Sequence, residues 1–348
     1  MNILLDDLPF NERLYPFGII KSMVHIRLGI LSILEKWELF FPGNILLSSQ
    51  HPIENLDADL FHIIPANLIP SANFLKQIGK QNAPFPSIDD CKILEYPWQI
   101  FEYNDWAIRQ DFKLITAGRK SQPVSSTNHL IHPENIFIED GADVNYSILN
   151  AKDGPIYIGK NSEIFEGCLI RGPFSLGEGS RIKMGAKIYG GTTIGPFCLA
   201  TGEIKNSILT SYSNKAHDGY LGDSVIGSWC NVGAGTTNSN LKNTAGLVKM
   251  WSKSKNKFVN AGYKCGLLMG DYSRCAINTS FNTGTVVGVC CNIFGNTFQS
   301  KYYSDFTWGT ERYIFEKALS DINNWKRMKG HEITGAEIES LKNIYQTK

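Results

Sequence analysis

The chain lacks an excess of charge of either sign: 34 basic and 33 acidic residues leave a net +1 over 348 positions. No broad positive field is left to condense on nucleic acid or an anionic membrane, so an anionic partner must be met by a local cluster. It also lacks any apolar run near the roughly 20 residues that span a bilayer. Its start, Met1-Asn2-Ile3-Leu4-Leu5-Asp6-Asp7, is acidic where a secretory signal is basic. A soluble cytoplasmic protein with no nucleic-acid or membrane partner is expected. Missing too is any Cys-x-x-Cys pair. Cys91, Cys168, Cys198, Cys230, Cys265, Cys275, Cys290 and Cys291 fall in apolar stretches without interleaved histidines. They read as small buried hydrophobes in a reducing compartment, and no metal site is expected from them.

What the chain does have is a period. Counted in sixes, Ile158, Ile164, Ile170, Leu176, Ile182, Ile188 and Ile194 form an unbroken series, with glycine following at 159, 177 and 195. A period of six fits neither a helix, at about 3.6, nor a flat strand, at 2. It fits a coil of three short faces with one branched aliphatic pointing inward from each. The expected fold is therefore mainly β: a left-handed parallel β-helix of hexapeptide repeats. The series breaks after Ile194, resumes at Ile208, and passes through Asn214 and Tyr220 to Ile226 and Val232. A second break, about 240 to 258, carries Lys242, Lys249, Lys253, Lys255 and Lys257 and is expected to loop out. Counting resumes at Tyr263, Met269, Cys275, Phe281, Val287 and Ile293. Insertions in coil proteins map to loops on one side, often the working side, so chemistry is expected near these breaks.

The coil is flanked by other material. A small α/β unit is expected over 1–86, with a helix from Val24 to Phe40 and strands at Asn44 to Leu47 and Leu60 to Ile64. Pro84, Pro86 and Ser87 mark a hinge into a connector, 87–133, expected to be helical after Pro97. The β-helix itself is expected over 134–298. A helical tail, 299–348, is expected as helices from Glu311 to Lys329 and from Thr334 to Tyr345, with Thr334 and Glu337 spaced as a capping box. Such a tail can cover the open end of the coil, where strand edges go unpaired.

Between the two breaks lie Glu203-Ile204-Lys205, then Lys215-Ala216-His217-Asp218-Gly219-Tyr220-Leu221-Gly222-Asp223, then Asn231-Val232-Gly233-Ala234-Gly235 and Asn238-Ser239-Asn240. These segments resemble the acetyltransferase half of the GlmU family, bifunctional glucosamine-1-phosphate N-acetyltransferases and UDP-N-acetylglucosamine diphosphorylases. The resemblance implies His217 as the base and Tyr220, Lys205, Asn231 and Asn240 as sugar-phosphate ligands, with Lys183 at the family's phosphate-binding arginine. An imidazole whose ordinary pKa is about 6.5 can take the proton that an ammonium nucleophile must shed before it attacks a thioester. Glu203 is placed to orient that imidazole or hold the amine. Backbone N–H groups at Ala234 are candidates for the oxyanion, and Asn278 for the acetyl-CoA side. Family members associate as trimers, which implies a homotrimer here, with Asn240 and the lysine-bearing loop coming from a neighbouring chain.

The N-terminal unit resembles a reduced sugar-phosphate nucleotidyltransferase, through Arg13-Leu14-Tyr15-Pro16 and Lys21, and the whole chain is similar to a divergent GlmU-like branch of sugar nucleotidyltransferases. Magnesium enters only with that activity. The family's Gly-x-Gly-Thr-Arg loop is missing, and Ala66-Asn67 stands where a metal-binding aspartate is expected. Two alternatives to acetyl transfer therefore stay open: a sugar-1-phosphate nucleotidyltransferase and a non-catalytic trimeric binding protein.

Overall fold

The computed structural model describes residues 2–51, 53, 61–78, 86–295 and 299–347. Leu60, Pro84 and Phe298, which the sequence reading placed at element boundaries, lie outside them.

The N-terminal unit is built on three parallel strands. β1 (Asn2–Asp6) runs between β2 (Ile45–Leu47) and β3 (Phe61–Pro65). The helix expected from Val24 to Phe40 is much shorter, because α1 covers only Ile33–Glu38, opened by a capping box between Ser32 and Glu35. The cause lies at Gly29, whose φ of +91° leaves the helical region and whose missing side chain makes room for Asp111 and Ala107. The N–H groups of Gly29, Ile30 and Leu31 are taken by the side chains of Asn104 and Asp111 instead of by helical carbonyls. Both side chains belong to α4 (Asn104–Ile115), which follows α2 (Ala72–Ile78) and α3 (Gln99–Glu102). The expected connector helix is thus present from Gln99 onward. Asp111 also forms a fully buried ion pair with Lys36 of α1, which ties the connector to the N-terminal unit.

The remainder is the left-handed parallel β-helix that the six-residue period predicted. Its lumen is a column of stacked aliphatic side chains in which all seven members of the series from Ile158 to Ile194 are buried. Past Ile194 the phase differs from the count. Leu209 and Leu221 point into the lumen beside Ile204 and Ile226, whereas Ile208 packs outward and Tyr220 is half-buried on the outside. Lys215, not Asn214, takes the next inward position, over Ala200. The slip arises because two seven-residue strands, Glu203–Leu209 and Tyr220–Ile226, each serve two faces. Asn206 and Asp223, both in the left-handed region, replace the multi-residue corner of earlier coils. The count likewise starts the final coils too early: Tyr263 is exposed, and the coil resumes at Leu267.

Each face of the prism has a different neighbour. One face displays Ile208, Val225, Leu268 and Val286, and these merge with the core of the N-terminal unit. Along a second line, Phe197, Tyr212 and Trp229 stack at one corner, Tyr212 and Trp229 with ring centroids 4.2 Å apart. The tail, α5 (Phe315–Arg327) and α6 (Gly335–Gln346), packs on this column. It therefore lies along a flank of the coil rather than over its end. There the short strand Glu311–Arg312, expected to be helical, instead turns back antiparallel on Thr307–Trp308. The third face stays open. The second break loops out as expected, as a hairpin of Lys249–Ser252 and Lys257–Asn260 with Trp251 stacked on Tyr302. All eight cysteines are buried and unbridged.

Candidate active site

The site is assembled from the corner 216–219 and the open face that follows it. Strand Asn214–Lys215 delivers the chain to the corner, and Tyr220 begins the next strand. His217 is exposed at this corner. The corner is pinned from two sides: Lys183 Nζ donates to the Ala216 carbonyl at 3.0 Å, and Lys215 Nζ donates to the His217 carbonyl at 2.9 Å. Lys215 is almost wholly enclosed, with 1% of its surface exposed, and burial pulls its pKa down to about 8 although Asp218 and Cys275 favour its charge. The corner's carbonyls are bonded to neighbouring coils: Glu203 N–H donates to Gly219 O, and Gly235 N–H to Asp218 O.

On the open face, parallel register stacks Tyr220 on Glu203 and Glu203 on Lys187, and aligns Lys205 with Gly222. The phenol of Tyr220 folds across Gly222, where even a methyl group would come within 2.2 Å of its oxygen. Asn240 Nδ2 donates to that phenol oxygen at 3.1 Å and to Asp223 Oδ2 at 2.6 Å, while Asn206 Nδ2 donates to Asp223 Oδ1 at 2.7 Å. Burial first, then the charge of Asp223, push the Tyr220 phenol above its ordinary pKa, so it stays a neutral donor. Lys205 is exposed and, with Tyr189, Arg171 and Arg109, lines a groove of about 280 Å³ running toward α4.

The structure thus brings Glu203, Lys205, Tyr220 and Asn240 to one face, with His217 at the corner that leads into it and Lys183 reaching that corner. Asn240 meets Tyr220 within one chain, where the family resemblance had implied a neighbour's asparagine. Asn231 lies around the corner, paired with Asn214 and Arg274 on the flank where Lys329 of the tail also bonds Asn214. Ala234 sits one coil above His217, and its carbonyl accepts from the Asn278 N–H at 2.7 Å. Asn278 is a corner residue in the left-handed region, its amide lying against Gly235.

In the N-terminal unit, Arg13 is exposed with its guanidinium 5.7 Å from the Phe10 ring, and Lys21 is exposed. The buried carboxylate there is Asp7. Burial raises its pKa, but hydrogen bonds from Ser22, Ser49 and Ser48 outweigh that and hold it below the ordinary carboxylate range. Asn67, at the expected metal position, donates to the Leu94 carbonyl. Among the described residues, no group of three or more His, Cys, Asp or Glu side chains is placed to hold a metal ion. Nor is any helix among them long and apolar enough to cross a membrane.

Four residues of the constellation carry no assigned role in the sequence reading. Lys187 precedes Glu203 by 16 positions, as Tyr189 precedes Lys205, and counting by whole coils would have found them. Lys215 and Asp223 become visible only once the slipped phase is known.

No protein-family model matches the chain. Over 276 residues it is 29% identical to the bifunctional sugar-1-phosphate nucleotidylyltransferase/acetyltransferase of Sulfurisphaera tokodaii, a match covering 76% of this chain and 61% of that protein. An 89-residue stretch, 26% of this chain, is 39% identical to the bifunctional protein GlmU of Methanocaldococcus jannaschii. The chain is thus similar, over parts of its length, to proteins named GlmU and to a bifunctional nucleotidylyltransferase/acetyltransferase. It spans between about a fifth and three-fifths of the length of these two GlmU-type proteins, both of which are named as bifunctional. Among solved structures, the Arabidopsis UDP-N-acetylglucosamine acyltransferase aligns over 65% of this chain and 90% of that one, at 14% identity and a TM-score of 0.35.

Proposed function

We propose that this GlmU-like chain is an acetyl-CoA-dependent N-acetyltransferase acting on an amino-sugar phosphate such as glucosamine-1-phosphate. The observation that carries the reading is the shared face: Glu203, Lys205, Tyr220 and Asn240 converge beside an exposed His217. In the proposed reaction His217 takes a proton from the substrate ammonium, and the freed amine attacks the thioester carbon. The carbonyl oxygen gathers negative charge, which in this reading the backbone at Ala234, one coil above, offsets through its N–H. The carbon–sulfur bond then breaks, and the departing thiolate regains a proton. Glu203 holds the amine, Lys205 meets the phosphate as a point charge, and the neutral Tyr220 phenol and the Asn240 amide bond sugar hydroxyls. Asn231 and Asn278 lie outside this face, so contributions from them require a neighbouring chain.

The division of labour proposed is a reduced nucleotidyltransferase-like unit over 1–86, a connector over 87–133, the acyltransferase coil over 134–298 and a bracing tail over 299–348. The open face bears the exposed apolar side chains Ile148, Leu169 and Tyr189, which supports a homotrimer closing the site between subunits. Sedimentation of the full chain as a monomer at micromolar concentration argues against that closure. Retained nucleotidyl transfer is favoured by the parallel sheet, with Asp7 just past the carboxyl end of its middle strand. The commitment of Asn67 to Leu94 weighs against it.

The deciding assay is thiol release from acetyl-CoA with glucosamine-1-phosphate, without added metal, beside His217→Ala at the same pH. A fall of about 10² to 10⁴ in turnover is expected from loss of a general base. An unaffected rate removes His217 from that role, and an inactive wild type turns the reading toward nucleotidyl transfer or binding.

A further inference from the structure

Lysine is an odd occupant for the lumen of a β-helix. The inward ladder through this part of the coil reads Val144, Ile164, Ile182, Ala200, then Lys215, then Val232 and Cys275. Long aliphatic stems are at home there, but an ammonium needs partners. Lys215 Nζ donates a hydrogen bond to the His217 carbonyl at 2.9 Å and lies where a methyl group on Gly202 would come within 3.0 Å of it. From outside the coil, Lys183 Nζ bonds the preceding carbonyl, that of Ala216, at 3.0 Å. Two consecutive carbonyls of the corner that carries the imidazole are thus each held by an ammonium, one from within and one from without.

We infer that Lys215, with Lys183 opposite it, is a positioning residue that fixes the 216–219 corner and so aims His217 at the open face. Charge-assisted hydrogen bonds to backbone carbonyls are shorter and stronger than neutral ones, which suits them to holding an exposed corner still. The small neighbours serve the same end. Ala200 below Lys215 and Gly202 beside its ammonium leave the space that the long side chain needs to bend from the lumen to the corner. The inference deepens the acetyltransferase reading, on which its catalytic consequence rests, but the anchoring of the corner is a property of the fold alone.

The test uses the full-length chain and two variants, Lys215→Met and Lys183→Met, followed by hydrogen exchange and by the thiol-release assay. Methionine keeps the length and bulk of the stem and removes the donor. The reporters are the amides of Glu203, Tyr220 and Gly235, which donate to Gly219 O, Thr237 Oγ1 and Asp218 O. In Lys215→Met their protection is expected to fall about tenfold, the equivalent of one lost hydrogen bond of roughly 1.4 kcal/mol, while amides of the coils below Ile182 stay as protected as before. Turnover is expected to fall with KM unchanged, because ground-state contacts to the sugar come from the open face. Unchanged exchange and unchanged turnover in Lys215→Met overturn the inference and leave Lys215 a space-filling side chain. Faster exchange in a chain that shows no acetyl transfer at all upholds the anchoring and sinks the acetyltransferase reading instead. Should Lys215→Met fail to fold, Lys183→Met decides, since it leaves the lumen intact: unaltered protection at Gly235 and Tyr220 refutes the clamp, and lost protection supports it.

Discussion

Replacing Lys215 by methionine should make the protein more stable, and by an amount that depends on pH. Burial lowers the folded-state pKa of this amine from 10.5 to about 8, against the opposing pull of Asp218 and Cys275. A lysine whose folded pKa is depressed binds fewer protons in the native state than in the unfolded one between those two values, so native stability rises with pH across that window. Below it, enclosing the charged amine costs about 3 kcal/mol, the 2.5-unit difference taken at about 1.36 kcal/mol per unit. Lys215→Met removes that cost. At pH 7 the variant should exceed the wild type by up to about 3 kcal/mol, and by pH 9.5 the gap should shrink to about 1 kcal/mol, as the wild-type amine is already neutral in the folded state. Urea unfolding of both proteins at pH 7, 8 and 9.5 measures the gap, and taking the difference cancels the tyrosines and cysteines that titrate in both. A variant less stable than the wild type at pH 7, or a gap that does not change with pH, would refute the burial argument. A chain that keeps so expensive a residue beside its candidate base trades stability for placement of the corner.

Asp111→Asn leaves the Lys36 ammonium enclosed without its counter-ion and should destabilise by about 3 to 5 kcal/mol, whereas Lys36→Met with Asp111→Leu should recover much of that; chemical denaturation of the three variants checks both. Glu337 is partly buried, which raises its pKa, but Lys326, the Thr334 N–H and Tyr272 hold it down at about 2. A carboxyl with a depressed folded pKa lends stability above its ordinary pKa of 4.5 and loses it as pH falls toward 2, here about 2 kcal/mol after allowing for its partial exposure. Acid titration followed by the fluorescence of Trp229 and Trp325 should show tail release at higher pH in Glu337→Gln than in the wild type. Gly222→Ala sets a methyl group 2.2 Å from the Tyr220 oxygen. It should displace the phenol, raise KM for the sugar phosphate about tenfold in the thiol-release assay, and change the unfolding midpoint little.

The coil was legible because its signal is cumulative: one branched aliphatic every six residues from Ile158 to Ile194 leaves no competing period. Legibility ended where the chain drops residues at corners. Asn206 and Asp223 each turn the chain in a single left-handed residue, and a count in sixes cannot register that shortening, so Tyr220 and Ile208 were placed inside and Lys215 was overlooked. The helix from Val24 was misjudged for a different reason. Its apolar spacing is genuine, but Asn104 and Asp111, about 80 positions downstream, claim the backbone donors that a helix would need. Glu203, Lys205 and Tyr220 fall on one face because the register between coils is parallel and near-constant. Asn231 does not, because eleven residues beyond Tyr220 carry the chain two corners further around the prism.

Stacked repeats ordinarily melt like a zipper, one turn loosening after another from a free end, because each unit touches its immediate neighbours alone. Here side chains from the flanking elements clasp two adjacent turns or tie a turn to a distant part of the chain. The Lys329 ammonium bonds the carbonyls of Phe197 and Tyr212 and the side chain of Asn214, while Tyr15 of the N-terminal unit reaches Asp305 near the far end. Such cross-bracing turns a linear array into a laced cylinder, in which opening one turn means releasing the lace along several. Thermal unfolding of this chain should then be a single sharp event, and proteases should find few partly opened forms to cut.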